Sequence, residues 1–366
     1  MEYECNGYQI SKETSENKGA VFSAYANVIM GKKESEEEKE KKNMNYDEFK
    51  LLVKENISRF FTSENRIKDI TLKQICKNGA DLDGLIVSYQ DINIAPVIYL
   101  NNYYESNLTE NQVLEITRHI AHLIEENMPN QSFETGWLSD FEKVKNLIVP
   151  KVVCVDGNEK MLENLIYTPA ADLAVIYSVY LDEYSNATDC ATIPISHAMA
   201  EKWGVRADVL AHLVKNNLEN VSPEGFHPCL RDMADVIPVN MKNAFGDMER
   251  DKMYIISNRR GINGAAVFMD DQFMDHVKAQ LGEDFYLLPS SIHEMICVRN
   301  TGDLQVEELE NMVTDVNQCE IAPKDKLSDH VYKYDCDRHE IYRADQELKR
   351  QEELNASQSV RSHISR

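Results

Sequence analysis

The segment Pro289-Ser290-Ser291-Ile292-His293-Glu294 places hydroxyls, an imidazole and a carboxylate within six consecutive positions. Those residue types are the parts of acyl-transfer chemistry. Ser290 or Ser291 would be the nucleophile, His293 the base and Glu294 its carboxylate partner. The spacing argues against that use. Neighbours two apart in a turn between strands do not converge as a triad does, and no Gly-x-Ser-x-Gly elbow exposes the hydroxyl. The preferred reading is a turn: Pro289 fixes φ, the serines bond nearby backbone, and Ser291 caps toward Glu294. No catalytic residue is adopted on these grounds.

Two further groups have the donor atoms of a metal site. Glu115, His119, His122 and Glu126 follow at spacings of 4, 3 and 4 and share one helical face. Two imidazoles and two carboxylates suit zinc or iron, but one helix cannot surround an ion, and this face lies opposite the apolar stripe. His330, Cys336 and His339 alternate with Asp329, Asp335 and Asp337, and His227-Pro-Cys229 offers a second pair through space. The expected arrangements are a solvated helix face and a polar strand ending, with no metal and no cofactor adopted. Arg259-Arg260-Gly261-Ile-Asn-Gly264 could cradle a phosphate, yet no Lys-Ser/Thr and helix follow, so a hairpin turn is expected. His212 reads as a partly buried structural histidine, and Tyr103-Tyr104 as an exposed aromatic patch of the kind that contacts proteins.

The elements that must hold these groups follow from periodicity. Residues 1–43 read as a flexible charged extension, with an apolar-free Glu/Lys run at Lys32–Lys42. Asn45 is an N-cap for a helix with Phe49, Leu52, Val53 and Ile57 on one face. Strands follow at 67–75, 82–89 and 95–100, with Asn78-Gly79 as a turn signal, then a helix from Thr109 to Asn127. A second, shorter helix is expected over 140–148, and Pro150 marks a boundary. Residues 171–181 are apolar on both faces and read as a central strand. Helices at 197–203 and 206–220 precede strands at 253–257 and 265–269. A helix from Asp270 leads into the Ser/His block, and another spans 306–317. The expected organisation is a small α/β unit over 44–150, a larger α/β unit over 151–344, and a polar tail over 345–366, the whole being α+β with mixed sheets and mobile ends.

Three sets of segments together resemble domain-of-unknown-function family 5688 of anaerobic Gram-positive bacteria. The first is Leu82-Asp-Gly-Leu85 with Ile94-Ala-Pro-Val-Ile-Tyr-Leu-Asn-Asn-Tyr-Tyr-Glu105. The second is Phe141-Glu-Lys-Val-Lys145 with Asp172-Leu-Ala-Val-Ile-Tyr177 and Trp203-Gly-Val205. The third is Asn263-Gly-Ala-Ala266, Phe285–Glu294 and Leu327-Ser-Asp-His-Val-Tyr332. The resemblance runs from about residue 44 to 342. It implies an accessory role and brings no catalytic residues with it.

Bulk properties narrow the function classes. The 366 residues are 43% hydrophobic, enough for a core, and carry a net charge of -23. That charge disfavours direct nucleic-acid or anionic-membrane binding. Eight widely spaced cysteines without a Cys-x-x-Cys pair read as buried thiols of a reduced cytoplasm. No apolar run approaches the ~18 residues of a membrane span. The expectation is a cytoplasmic, non-enzymatic accessory protein that binds another protein or a small ligand. The alternatives are a hydrolase or metal enzyme around Ser290, Ser291, His293 and Glu294, and an acidic inhibitor that mimics nucleic acid, since almost all the excess charge falls in 44–344.

Overall fold

The computed structural model describes residues 2–6, 8–14, 44–62, 66–185, 189–218, 226–233, 253–282 and 284–347. In chain order the longer elements are β1 (Glu2–Cys5), β2 (Tyr8–Thr14), α1 (Tyr46–Asn56), β3 (Ile67–Lys77), β4 (Ala80–Tyr89), β5 (Ile94–Tyr99) and α2 (Glu110–Glu126). Then come β6 (Ile148–Cys154), β7 (Tyr167–Ala170), β8 (Leu173–Tyr180), β9 (Asp189–Pro194), α3 (His197–Trp203), α4 (Ala207–Asn217), β10 (Pro228–Asp232) and β11 (Met253–Asn258). The last are α5 (Asp271–Leu281), β12 (Phe285–Ser291), β13 (Glu294–Arg299), α6 (Val306–Cys319), β14 (Tyr332–Asp335) and β15 (Glu340–Arg343). The fold is α+β, and each strand register described is antiparallel where mixed sheets were expected.

The chain divides into two compact units. The first takes 1–77, 81–138 and 181–193. Its strands run in the order β3-β4-β5-β1-β2-β9. Glu2–Cys5 and Tyr8–Thr14, read from sequence as part of the charged extension, therefore form two interior strands. The apolar spacing of Cys5 and Ile10 explains this, since both side chains are fully buried. The rest of the expected extension, 15–43, and the tail 348–366 lie outside the described residues. Helix α1 opens with a reciprocal capping box between Asn45 and Glu48, as the Asn-x-x-Glu spacing requires. Thr109 and Gln112 do the same for α2. Phe49 and Val53 of α1 and Val113, Ile120 and Ile124 of α2 bury their stripes against Leu85, Val87 and Ile98.

The second unit takes 78–80, 139–180 and 194–366. Here β8, buried at all positions, lies between β6 and β7. Pro150, expected at a boundary, sits inside β6 opposite Tyr177. The expected helix over 140–148 is only Phe141–Val144 with a 3-10 turn, and β6 begins at Ile148. A second sheet runs β10-β11-β13-β12-β14-β15. Helix α6 covers it, packing Leu309 and Val313 on Ile255, Leu288 and Val298.

One expected strand is absent. Residues Gly264–Met269 form a 3-10 helix instead of the second arm of a hairpin. The Gly-Ala-Ala sequence explains it. A Cβ on Gly264 would lie 2.2 Å from Ser257 Oγ and 2.6 Å from both the Asn258 nitrogen and the His293 carbonyl oxygen. Only glycine lets the chain come this close to β11 and to the β12–β13 turn.

Candidate functional site

The Ser/His block forms the two-residue turn Ile292–His293 between β12 and β13, with Ser291 paired to Glu294. Ser291 Oγ accepts the backbone N–H of His293 at 3.0 Å. The cap expected toward Glu294 is thus made two residues on. Glu294 instead meets Arg231 at 3.0 Å. The backbone of Ser290 continues β12, and its side chain lies outside the described residues. His293 Nδ1 accepts the N–H of Asn263 at 3.0 Å, so the ring proton sits on Nε2, facing Asp325 Oδ1 at 3.4 Å. Ser257 Oγ donates to the His293 carbonyl at 2.8 Å. Both ring nitrogens are committed to the fold, and neither bonds Ser291 Oγ. Burial pushes the Asp325 carboxyl up, but His293, Lys324 and Lys151 outweigh it and hold it below the usual carboxylate range.

A second polar centre lies one segment further along. The hairpin β7–β8 turns through Ala171 and Asp172 alone, since Ala170 pairs with Leu173. Ala171 has φ 58°, a left-handed conformation that costs a side chain. That turn brings the Asp172 carboxylate to β14 and β15. Tyr332 donates to Asp172 Oδ1 at 2.8 Å. With its one proton spent there, the phenol oxygen accepts from Ser328 Oγ, also 2.8 Å away. Asp172 Oδ2 faces Arg343 at 3.5 Å and His330 Nε2 at 3.8 Å. Arg343 is further held by Asp345 in a two-pronged pair of 2.6 and 2.9 Å. His330 Nδ1 faces Glu310 Oε1 at 3.4 Å. Burial first, then the Asp172 charge, pushes the Tyr332 phenol far above its ordinary range. It remains a protonated donor at any physiological pH.

This centre borders a cleft of about 600 Å³. Thr168, Pro169 and Ala170 of β7 and the Ala171 turn form one wall. Residues His339–Arg343 form another, with Lys215, Phe268 and Met269 closing it. Lys215 is held by Asp271 at 2.7 and 2.8 Å, so both cations that line the cleft have carboxylate partners. His339, like Ala171, is left-handed, with φ 54°.

The metal candidates are not brought together. Glu115 is taken by Arg118 at 2.7 Å, and His122 meets Glu126 at 3.2 Å on an exposed face. His119 packs on the Tyr103 ring at 6.4 Å, and burial, then His122, lower its pKa. Cys229 lies on β10 and Cys336 just beyond β14, four strands apart in the sheet, or about 19 Å. His339 Nδ1 lies 3.3 Å from the Tyr334 hydroxyl, while His330 belongs to the Asp172 cluster. Among the described residues no group of three or more His, Cys, Asp or Glu is placed to hold a metal ion. The phosphate cradle is also displaced: Arg260 lies over the Tyr180 and Phe226 rings at 5.3 and 5.5 Å. Tyr104 is packed rather than displayed, 5.1 Å from the Tyr46 ring and 5.5 Å from Phe49. His212, expected to be partly buried, is exposed.

Fold and site thus define an α+β chain with a polar centre at a hairpin turn beside a cleft. The chain belongs to the family of unknown function DUF5688, whose model matches residues 46–336. No curated protein and no solved structure matches it. Two pairs of the segments that carried the resemblance meet in space. Asp172–Tyr177 joins Leu327–Tyr332 through the Asp172–Tyr332 bond. Asn263–Ala266 joins Phe285–Glu294 through His293 and through the Ala265 N–H to the Ile292 carbonyl. Asp172, Glu310, Arg343 and Lys215 were not picked out from sequence. Asp172 meets Tyr332 from 160 positions away and Arg343 from further still, and no local spacing signals such partners.

Proposed function

We propose that this chain is a non-enzymatic cytoplasmic binding protein that takes a small ligand in the cleft beside Ala171. The observation that carries the reading is the cleft itself. Its volume of about 600 Å³ falls in the range of small-molecule sites. Its walls combine apolar Phe268 and Met269 with the held cations Lys215 and Arg343. Two of its residues, Ala171 and His339, keep left-handed backbone at a steric cost, a form of strain that gathers at ligand sites. A nucleophile bonded to a base is what a hydrolase at Ser291 requires, and Ser291 Oγ bonds a backbone N–H instead. Among the described residues no helix is long and apolar enough to cross a membrane, and the eight cysteines are free thiols; both are compatible with the cytoplasmic assignment.

The test is thermal denaturation of the full chain with the sub-kilodalton fraction of a bacterial extract, followed by mass spectrometry of what co-purifies. The expected result is a raised Tm that Arg343→Gln and Lys215→Met each abolish. A Tm that does not respond, or a response that both variants keep, overturns the cleft as the binding site.

A further inference from the structure

The first unit contains a seat for a β-hairpin. Strand β1 pairs with β5 along Glu2–Cys5 against Val97–Ile94, and β2 pairs with β9 along Ser11–Thr14 against Thr192–Asp189. Between themselves β1 and β2 pair at Tyr3, Glu4 and Cys5 with Ile10, Gln9 and Tyr8. Residues 2–14 thus fill the space between two strands that do not pair with each other. Without them β5 and β9 would face a gap of three strand spacings, about 14 Å, each with an open backbone edge.

The seat is specific in its side chains as well as its backbone. Cys5 and Ile10 are fully buried. Tyr3 donates to the Asn127 carbonyl at 3.3 Å, and Cys5 Sγ to the Phe133 carbonyl at 4.0 Å. Glu2 is buried between Tyr99, which donates to it, and Lys77, which forms its ion pair. A buried carboxylate with both partners supplied by the acceptor is a strong register pin, because a shifted hairpin would leave it unpaired. Burial, then Glu4, pushes the Cys5 thiol up to about 11, so it is unreactive while seated.

The hairpin is joined to the rest through residues 15–43, whose Lys32–Lys42 run has no apolar side chain. Extended, that connection reaches about 100 Å, so its length does not tie the hairpin to its own seat. The family model begins at residue 46, beyond both hairpin and connection, while β5 and β9 lie within its match.

From these registers we infer that the channel between β5 and β9 is a hairpin-accepting site, filled in each chain by its own residues 2–14 and equally able to take residues 2–14 of a second copy. The contacts are identical in both cases. Only the effective concentration of the tethered hairpin, on the order of millimolar, favours the chain's own. Intact chains at micromolar concentration keep their hairpins, and cutting the connection removes that advantage.

The experiment cuts the folded full chain at a protease site engineered within 15–43, then adds a fluorescent synthetic peptide of residues 1–14. The expected result is saturable one-to-one uptake of the peptide into a chain with unchanged circular dichroism, together with at least tenfold weaker uptake of the same peptide carrying Ile10→Asp. Release of the native fragment exposes Cys5 to thiol reagents at the rate of peptide uptake. Three results overturn the inference: no uptake by a cut chain that stays folded, uptake that Ile10→Asp leaves unchanged, or unfolding of the chain on cutting. The last would make residues 2–14 an inseparable part of the unit.

Discussion

Tyr332 donates its phenolic proton to Asp172 across 160 positions of sequence, at 2.8 Å, with Ser328 on the phenol's other side. One strand end and one two-residue turn are locked by a single proton. Tyr332→Phe keeps the ring and removes that donor. It leaves the Asp172 Oδ1 and Ser328 hydroxyl without their buried partner and is expected to cost about 1–3 kcal/mol. Urea denaturation measures it, and a loss under ~0.5 kcal/mol would show that solvent replaces the phenol.

Ala171 holds φ 58° in that same turn. Glycine adopts this conformation without the Cβ penalty, so Ala171→Gly is expected to stabilise the chain by about 0.5–1 kcal/mol, the gain being reduced by the freer unfolded state. Ala171→Val at this position should destabilise. A ligand response that weakens in the glycine variant while Tm rises would connect the strain to binding.

Gly264→Ala meets the Asn258 nitrogen and the His293 carbonyl oxygen, both backbone atoms that cannot rotate away. The 3-10 segment must leave β11, at a cost on the order of 3 kcal/mol. Hydrogen exchange should then rise at the Ala265 amide, which donates to Ile292.

His293→Ala removes the acceptor of the Asn263 N–H and the partner of Asp325. The expected loss is about 1–3 kcal/mol, with the cleft's ligand response intact in the folded variant. Ser291→Ala, which loses one N–H acceptor, should cost about 0.5–2 kcal/mol, as capping residues do. A His293→Ala chain that melts like the parent but no longer binds would make this turn a site instead.

Asp325, Asp329 and Asp345 all hold their protons less tightly than free carboxyls. For Asp325 and Asp329 burial acts the other way, and His293, Asn317 and the nearby lysines prevail; for Asp345 the bond from Arg343 leads. A folded pKa below the unfolded one means stability that is fully present above the unfolded value, about 4, and lost as pH falls through the folded values. Unfolding free energy should therefore be flat in these groups near neutrality and fall below about pH 4. Asp345→Asn should lower the plateau and flatten that acid limb; an acid limb of unchanged slope would show that other carboxylates carry it.

Local signals were legible wherever a short stretch of sequence decides its own conformation. Asn45 before α1, Thr109 before α2 and Asp270 before α5 each cap a helix where the sequence places its start. The all-apolar run around β8 also reads correctly as a strand covered on both faces. These outcomes depend on groups within about four residues of one another, and hydrogen-bond reach along a helix or turn is that short.

By itself, then, the sequence determined the α+β class, most helix limits and the turn character of Ser291–His293, because capping, periodicity and side-chain to backbone bonds are local. Tertiary structure alone decided that residues 2–14 lie inside a sheet, that 264–269 coil instead of extending, and that Asp172, Tyr332, Arg343 and His330 share one centre. Each of those depends on a partner far away in the chain: a strand edge for β1 and β2, a close-packed backbone for Gly264, and a buried phenol for Asp172. Charge and hydrogen bonding act through distance in space, and only the closed fold makes residues 160 positions apart into neighbours at 2.8 Å.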